Sequence, residues 1–435
     1  MVYLMICGNV SVNENGHLTF AGRDTTQLAE KYGTPLYLMD EEKIRQHMRT
    51  YKMALADFFP AGSVPEYASK AFSCRRIYEI AAQEGIHIDV VSCGEIYTAY
   101  SAGFPMEDCF FHGNNKNDDN IEYAMDKGVG FFVADSTDEL YAIDRIAESK
   151  GIKQNVLIRL TPGIDPHTHK KISTGSVESK FGIAIENGQA MEAVGEALNL
   201  KNIVLQGFHC HVGSQIFESE PFCTAAQVML KFINDVRADF GFTADMLNLG
   251  GGFGVRYVES DPAIDYYEKI REVADTVNNC CKELNLPIPK IRMEPGRSIV
   301  ADAGMTLYTV GTVKEVSEYK NYVSIDGGMT DNPRYTLYES QYTAINASKA
   351  DMPADFKATL AGCCCESGDL IGEDMYFAKP ERGDIIAVLT TGAYNFSMAS
   401  NYNRVPRPPV IMLNEKMEYV AVRRQTYEDI CALDE

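Results

Sequence analysis

Lys70 stands at the end of a short apolar run, in Pro65-Glu66-Tyr67-Ala68-Ser69-Lys70-Ala71-Phe72. Small neighbours leave such a lysine little room to reach water, so burial is expected. Burial favours the neutral amine, and a neutral amine can attack a carbonyl to form a Schiff base. The plain alternative is a solvated surface lysine. Three further motifs bear on the choice: His211 in Gly207-Phe208-His209-Cys210-His211-Val212-Gly213-Ser214-Gln215, the run Gly250-Gly251-Gly252-Phe253-Gly254, and Glu294-Pro295-Gly296-Arg297.

The glycine run lets the backbone approach a ligand and aim several N–H groups at one anion, such as a phosphate. A tight turn explains it equally well. It does not fit G-x-G-x-x-G, because Val255 holds the last position, so a dinucleotide fold is not supported. Ser214 adds a hydroxyl for the same anion, or is a turn residue. His209 with His211, and His167 with His169, have the His-x-His spacing of some metal sites. No acidic cluster has matching spacing and a metal leaves the glycines unexplained, so we expect no metal and an imidazole lying flat on an aromatic ring. Glu294 beside proline and glycine suits a carboxylate that keeps a pyridinium nitrogen protonated, which makes such a ring an electron sink. Otherwise Glu294 and Arg297 form a surface pair worth little.

These residues need a scaffold. Between residues 64 and 294 short apolar runs alternate with amphipathic stretches; the runs lie near 64–68, 87–91, 109–112, 130–134, 155–160, 203–209, 246–249 and 290–293. Helical patterns fall between them, at Arg75 to Gln83, Asp138 to Glu148, Ala225 to Phe240 and Tyr266 to Leu284. Eight strand–helix units predict an α/β fold, a (β/α)8 barrel over 39–300, with chemistry at the strands' C-terminal ends. Lys70 then follows the first strand, His211 the sixth, the glycines the seventh and Glu294 the eighth. After residue 300 the runs Thr306–Val316, Tyr322–Ile325, Ile385–Leu389, Val410–Leu413 and Tyr419–Val422 predict an all-β domain over 301–435. Leu18–Phe20 and Leu36–Leu38, within 1–38, are expected to join it.

A net charge of −21 opposes binding to nucleic acid or to an anionic membrane surface. No apolar run approaches the roughly 18 residues needed to span a bilayer. Twelve scattered cysteines, without zinc-like spacing or a secretory signal, read as reduced thiols of a cytoplasmic protein.

A lysine, a flat imidazole, a glycine-lined anion site and a carboxylate for a ring nitrogen together describe a site for pyridoxal 5′-phosphate. In this order, and with Ser179-Lys180-Phe181-Gly182, the motifs resemble the fold-type III pyridoxal-phosphate decarboxylases with an alanine racemase-like barrel. The likeness covers nearly the whole chain and is greatest to the branch acting on diaminopimelate. It implies loss of CO2 from meso-2,6-diaminopimelate to give L-lysine, the last step of lysine biosynthesis. Decarboxylases of ornithine or arginine are the nearest alternative; a binding homologue without turnover and a metal-dependent barrel hydrolase are more remote.

The resemblance also implies roles. Lys70 carries the cofactor and Cys365 donates a proton. Cofactor contacts fall to Lys70, His211, Ser214, Gly251, Gly252, Glu294, Gly296, Arg297 and Tyr394. Substrate contacts fall to Arg297, Arg334, Tyr338, Glu366 and Tyr394. The loop Cys365-Glu366-Ser367-Gly368-Asp369 resembles one that reaches a partner subunit's active site, which implies a homodimer. Unaided, Cys365 reads as a buried core thiol, Arg334 as a surface arginine, Tyr338 as a core tyrosine and Tyr394 as a packing aromatic. One departure stands out: Val405, preceded by Arg404, occupies the place where the family usually carries arginine before the late Pro-Arg-Pro run.

Overall fold

The computed structural model describes residues 6–164, 179–316 and 319–435. They form two compact units, Gln46–Gly254 with Ile264–Gly296, and Met1–Arg45 with Val255–Ala263 and Arg297–Glu435. His167 and His169 lie outside the described residues.

The first unit is built on parallel strands β1 (Glu66–Ala68), β2 (His87–Val90), β3 (Cys109–Phe111), β4 (Phe131–Ala134), β5 (Gln154–Thr161), β6 (Ile203–His209), β7 (Met246–Asn248) and β8 (Lys290–Arg292). They lie side by side in chain order. The ends of this sheet meet where the Glu66 N–H donates to the Met293 carbonyl (2.8 Å) and the Ala68 N–H to the Pro295 carbonyl (3.1 Å). The expected barrel is therefore present. Its strands are almost wholly buried, which is why they read as short continuous apolar runs. Several of the helices between them start on side-chain caps: Ser92 accepts from the Glu95 N–H (3.2 Å) and Ser136 from the Glu139 N–H (3.3 Å).

Phe110, Val133, Leu157 and Met246, from β3, β4, β5 and β7, form a buried cluster, with Phe131 stacked 4.3 Å from Phe110. Burying each large apolar side chain contributes about 1.5–3 kcal/mol, so the strands enclose a packed core and not a pore. Strand register then sets the chemistry. Ala68 pairs with Asp89, Arg159 with His209, His209 with Asn248, and Asn248 with Arg292. Polar residues thus meet on adjacent strands.

In the second unit Gly304–Val316 is the central strand, paired antiparallel with Leu36–Asp40, Lys320–Ile325 and Ile385–Leu389. Leu36–Asp40 also pairs in parallel with Val410–Leu413. Leu18–Phe20 departs from expectation: it pairs with Val10–Val12 and Arg23–Asp24 in a sheet of its own. A turn explains this, since the Asn13 N–H donates to the His17 carbonyl (2.9 Å) and closes a local hairpin. Leu18 and Phe20 still share a core with Leu36, Leu38, Met305 and Leu307. Among the described residues no helix is long and apolar enough to cross a membrane.

Candidate active site

Lys70 sits in a 3-10 turn, Ser69–Ala71, just past β1, and it is exposed. The expected burial is corrected. The strand stops at Ala68, so the lysine leaves the packed layer while Ser69 and Ala71 stay inside it. Charge distinguishes this lysine instead. Its ammonium acts on Asp89, Glu95 and Glu294, favouring their ionised forms. Burial acts the other way and is stronger, pushing each of these carboxyls up to about 7.

Glu294 is 6 % exposed and lies in a polar nest. Asn248 donates from Nδ2 to Glu294 Oε1 (2.9 Å) and to Glu66 Oε2 (3.0 Å). His209 Nε2 and His112 Nε2 lie 3.0 Å and 3.2 Å from the same Oε1. Burial holds both imidazoles neutral, and it raises the Glu66 carboxyl well above its usual range, helped by the charge of Glu294. Arg159, held 3.7 Å from Asp135, is the second cation acting on Glu294. The Ser179–Gly182 stretch serves this arginine: the Phe181 ring lies 4.5 Å from its guanidinium, and the Gly182 N–H donates to Asp135 (3.0 Å).

His211 is half-buried, kept neutral by desolvation, and accepts at Nδ1 from the Gly251 N–H (3.3 Å). The glycine run is tighter than expected. A Cβ on Gly252, where φ is +130°, would lie 2.2 Å from the Gly213 carbonyl oxygen, so the neighbouring backbone itself demands glycine. The N–H groups of Gly250, Gly251 and Gly254 already donate to Asn248, His211 and Ile216. That leaves fewer amides for an anion than the sequence suggested. Ser214 is half-buried beside this turn. Gly296 is pressed onto the turn bearing Lys70, since a Cβ there would lie 2.9 Å from that of Ala68.

The second unit holds a separate cationic nest. Arg297 and Arg334 are both buried, so neither a surface pair with Glu294 nor a surface arginine describes them. Arg297 donates to the Tyr257 hydroxyl (2.6 Å), and its guanidinium lies 4.8 Å from the Tyr394 ring. Arg334 lies 5.5 Å from the rings of Tyr338 and Tyr394 and 5.9 Å from that of Tyr257. Among the described residues no carboxylate lies within ion-pair distance of Arg334. Tyr338 and Tyr394 are only half-buried, and Tyr394 adopts φ +62°, a conformation rare for a bulky residue. Such strain is characteristic of functional loops. Cys365 and Glu366 are exposed, which corrects the core-thiol reading. Their loop is held by Asn403, whose Oδ1 accepts from the Cys365 N–H (2.9 Å). Val405 is half-buried, and its carbonyl accepts from Asn401 (2.8 Å).

A parallel barrel with a lysine and a buried glutamate just past its strand ends is an arrangement that suits pyridoxal phosphate. Residues 41–301 match the family model for the pyridoxal-binding domain of pyridoxal-dependent decarboxylases. The diaminopimelate decarboxylase of Bacillus subtilis is 43% identical over 99% of this chain and 98% of its own length. That of Staphylococcus aureus is 42% identical over 98% and 99%. The crystal structure of the M. jannaschii enzyme in co-complex with L-lysine superposes with a TM-score of 0.91, at 34% identity over 99% of both chains. The chain belongs to the diaminopimelate decarboxylase family.

The residues present fit pyridoxal phosphate: an amine for the aldehyde, a buried carboxylate for the ring nitrogen, an uncharged imidazole and a tight glycine turn. They fit a resident metal less well. One group among the described residues, His112, His209 and Glu294, has ligand atoms within 4.8 Å of one another. The charges of Lys70 and Arg159 act on all three and would repel a dication. His211, the partner of His209 in the His-x-His motif, is not in the group.

The raised carboxyls make a pH prediction for the cofactor-free protein. Asp89, Glu95, Glu294 and buried Asp331 keep protons up to about pH 7 when folded, whereas unfolded carboxyls lose them near pH 4. Between pH 6.5 and 8 the folded chain binds more protons, so stability falls as pH rises, on the order of 1–3 kcal/mol per unit near pH 7. The depressed imidazoles of His87, His112, His209 and His211 act the opposite way, most strongly at and below the unfolded imidazole value near 6.5, and this opposition fades by about pH 7.5. Melting temperature should therefore decrease from pH 6.5 to 8. A flat or rising profile contradicts these protonation states.

Proposed function

We propose that Lys70, His211, Ser214, Gly251, Gly252, Glu294, Gly296, Arg297 and Tyr394 hold the pyridoxal phosphate, and that Arg297, Arg334, Tyr338, Glu366 and Tyr394 receive the substrate. The reaction is decarboxylation of meso-2,6-diaminopimelate to L-lysine and CO2. When bound, pyridoxal phosphate supplies an aldehyde for the substrate amine and a ring that accepts the electrons left when CO2 departs. Lys70 presents the amine that the substrate amine replaces. Glu294 holds a proton on the ring nitrogen, and neutral His211 offers an uncharged face. Cys365 Sγ gives a proton to the carbon that lost CO2 and regains one from solvent. Cys365 and Glu366 belong to the unit outside the barrel, and the reading has them serve a partner subunit in a homodimer.

The observation that carries the substrate assignment is Arg334: a buried guanidinium, walled by tyrosines, with no carboxylate of its own among the described residues. A buried cation in this state calls for an anion. Diaminopimelate has a second carboxylate, whereas ornithine ends in a cation alone. Planar guanidinium geometry matches a carboxylate in two-point contact. Arg334→Ala should keep its cofactor and lose about 1.5–3 kcal/mol of a charge-assisted contact, or about 10- to 150-fold in kcat/KM for diaminopimelate. Ornithine, measured in parallel, should gain relative to diaminopimelate. A wild type that already prefers ornithine, or a preference the mutation does not move, rejects the assignment.

A further inference from the structure

The two oxygens of Glu294 are treated differently. Oε1 has Asn248 Nδ2 at 2.9 Å, His209 Nε2 at 3.0 Å and His112 Nε2 at 3.2 Å. Oε2 accepts no hydrogen bond from a described residue. The imidazoles are buried, neutral and set edge to face, with centroids 4.9 Å apart and planes at 74°. Each therefore has one N–H to give. Neither nitrogen of His209, nor Nε2 of His112, has an aligned hydrogen-bond partner among the described residues. His112 Nε2 is also 3.9 Å from Asp89 Oδ1, too far for a hydrogen bond, so Glu294 is its nearer acceptor. The two imidazole contacts are close but off the hydrogen-bonding line, as polar contacts in ligand-free active sites often are before they tighten.

We infer that His112 and His209 are positioning residues for Glu294: with Asn248 they gather N–H groups on Oε1 and leave Oε2 to receive the ring N–H of the cofactor. The inference rests on the proposed pairing of Glu294 with the ring nitrogen. A carboxylate fixed through one oxygen is hindered from swinging away, and N–H groups that turn onto it when the cofactor binds stabilise its ionised form. Ionised, it keeps the ring protonated. The network also explains a histidine that the metal reading left over. His209 belongs with β3 and β7, through His112 and Asn248, and not with His211.

The test uses holoenzyme loaded with pyridoxal phosphate labelled with 15N in the ring, whose chemical shift reports protonation directly. Wild type should show a protonated ring nitrogen at pH 8. His209→Leu should move the nitrogen toward the unprotonated shift and lower its titration midpoint. Cofactor release should quicken by about tenfold or more, the scale of a lost charge-assisted contact. His209→Gln, whose amide nitrogen replaces Nε2, should restore most of both readouts, and His112→Leu with His112→Gln should behave in parallel. If His209→Leu does not fold, His209→Asn, whose amide falls short of Oε1, takes its place against His209→Gln. Variants whose ring nitrogen stays as protonated as in wild type overturn the inference. A wild-type nitrogen that is unprotonated, or that Glu294→Gln leaves unchanged, defeats the Glu294 assignment itself and is distinguishable from that result.

Discussion

Lys70→Ala should lower kcat/KM for diaminopimelate on the order of a thousandfold or more, the scale seen when a covalent nucleophile is removed. Lys70 is exposed, and exposed positions change stability by only about 0.5 kcal/mol. The cofactor-free variant should therefore melt close to wild type. A large loss of activity without loss of fold separates a chemical lysine from a structural one. The variant also tests the shared site. Mixed with Cys365→Ala under conditions where subunits exchange, it should regain activity, because heterodimers would carry one site with both groups intact. Mixtures that exchange and stay inactive place Lys70 and Cys365 in service of the same chain.

Glu294→Gln is the second large effect. The glutamine keeps the shape and can still accept from Asn248, but it carries no charge to hold a proton on a ring nitrogen. Removing one preorganised electrostatic partner costs about 100- to 1000-fold in kcat. We expect a loss in that range, with the fold intact. The removed carboxyl is one of the groups raised to about 7, so the stability loss between pH 6.5 and 8 should also become shallower. Turnover within threefold of wild type would show that the ring nitrogen needs no carboxylate here.

The barrel was legible because parallel strands buried on both faces leave apolar runs of strand length. All eight runs fell on strands, with ends shifted by at most two residues. The late sheet was read less fully. Phe356–Ala361 and Leu370–Phe377 pair antiparallel but were missed. Register shifts near Ala358 and Leu360, and φ of +53° at Asp374, break the alternation that marks a half-buried strand.

At the site, Lys70, His211 and Glu294 were found because glycine, proline or small residues frame them. Asp89, His112, Arg159 and Asn248 were missed. Their signal was present: each is a polar residue in or just after an otherwise apolar buried run, as in Met246-Leu247-Asn248-Leu249. Such a residue must be satisfied by something, and at a barrel strand end that something is a site. The burial of Arg297 and Arg334 was not legible, because it depends on tyrosines far apart in sequence, from Tyr257 to Tyr394.

Whether Lys70 is the residue bonded to the cofactor is decided by borohydride reduction of the holoenzyme followed by peptide mapping. A single pyridoxyl group, on Lys70, is expected. A pyridoxyl group on any other lysine, or none on a protein that retains the cofactor, contradicts it.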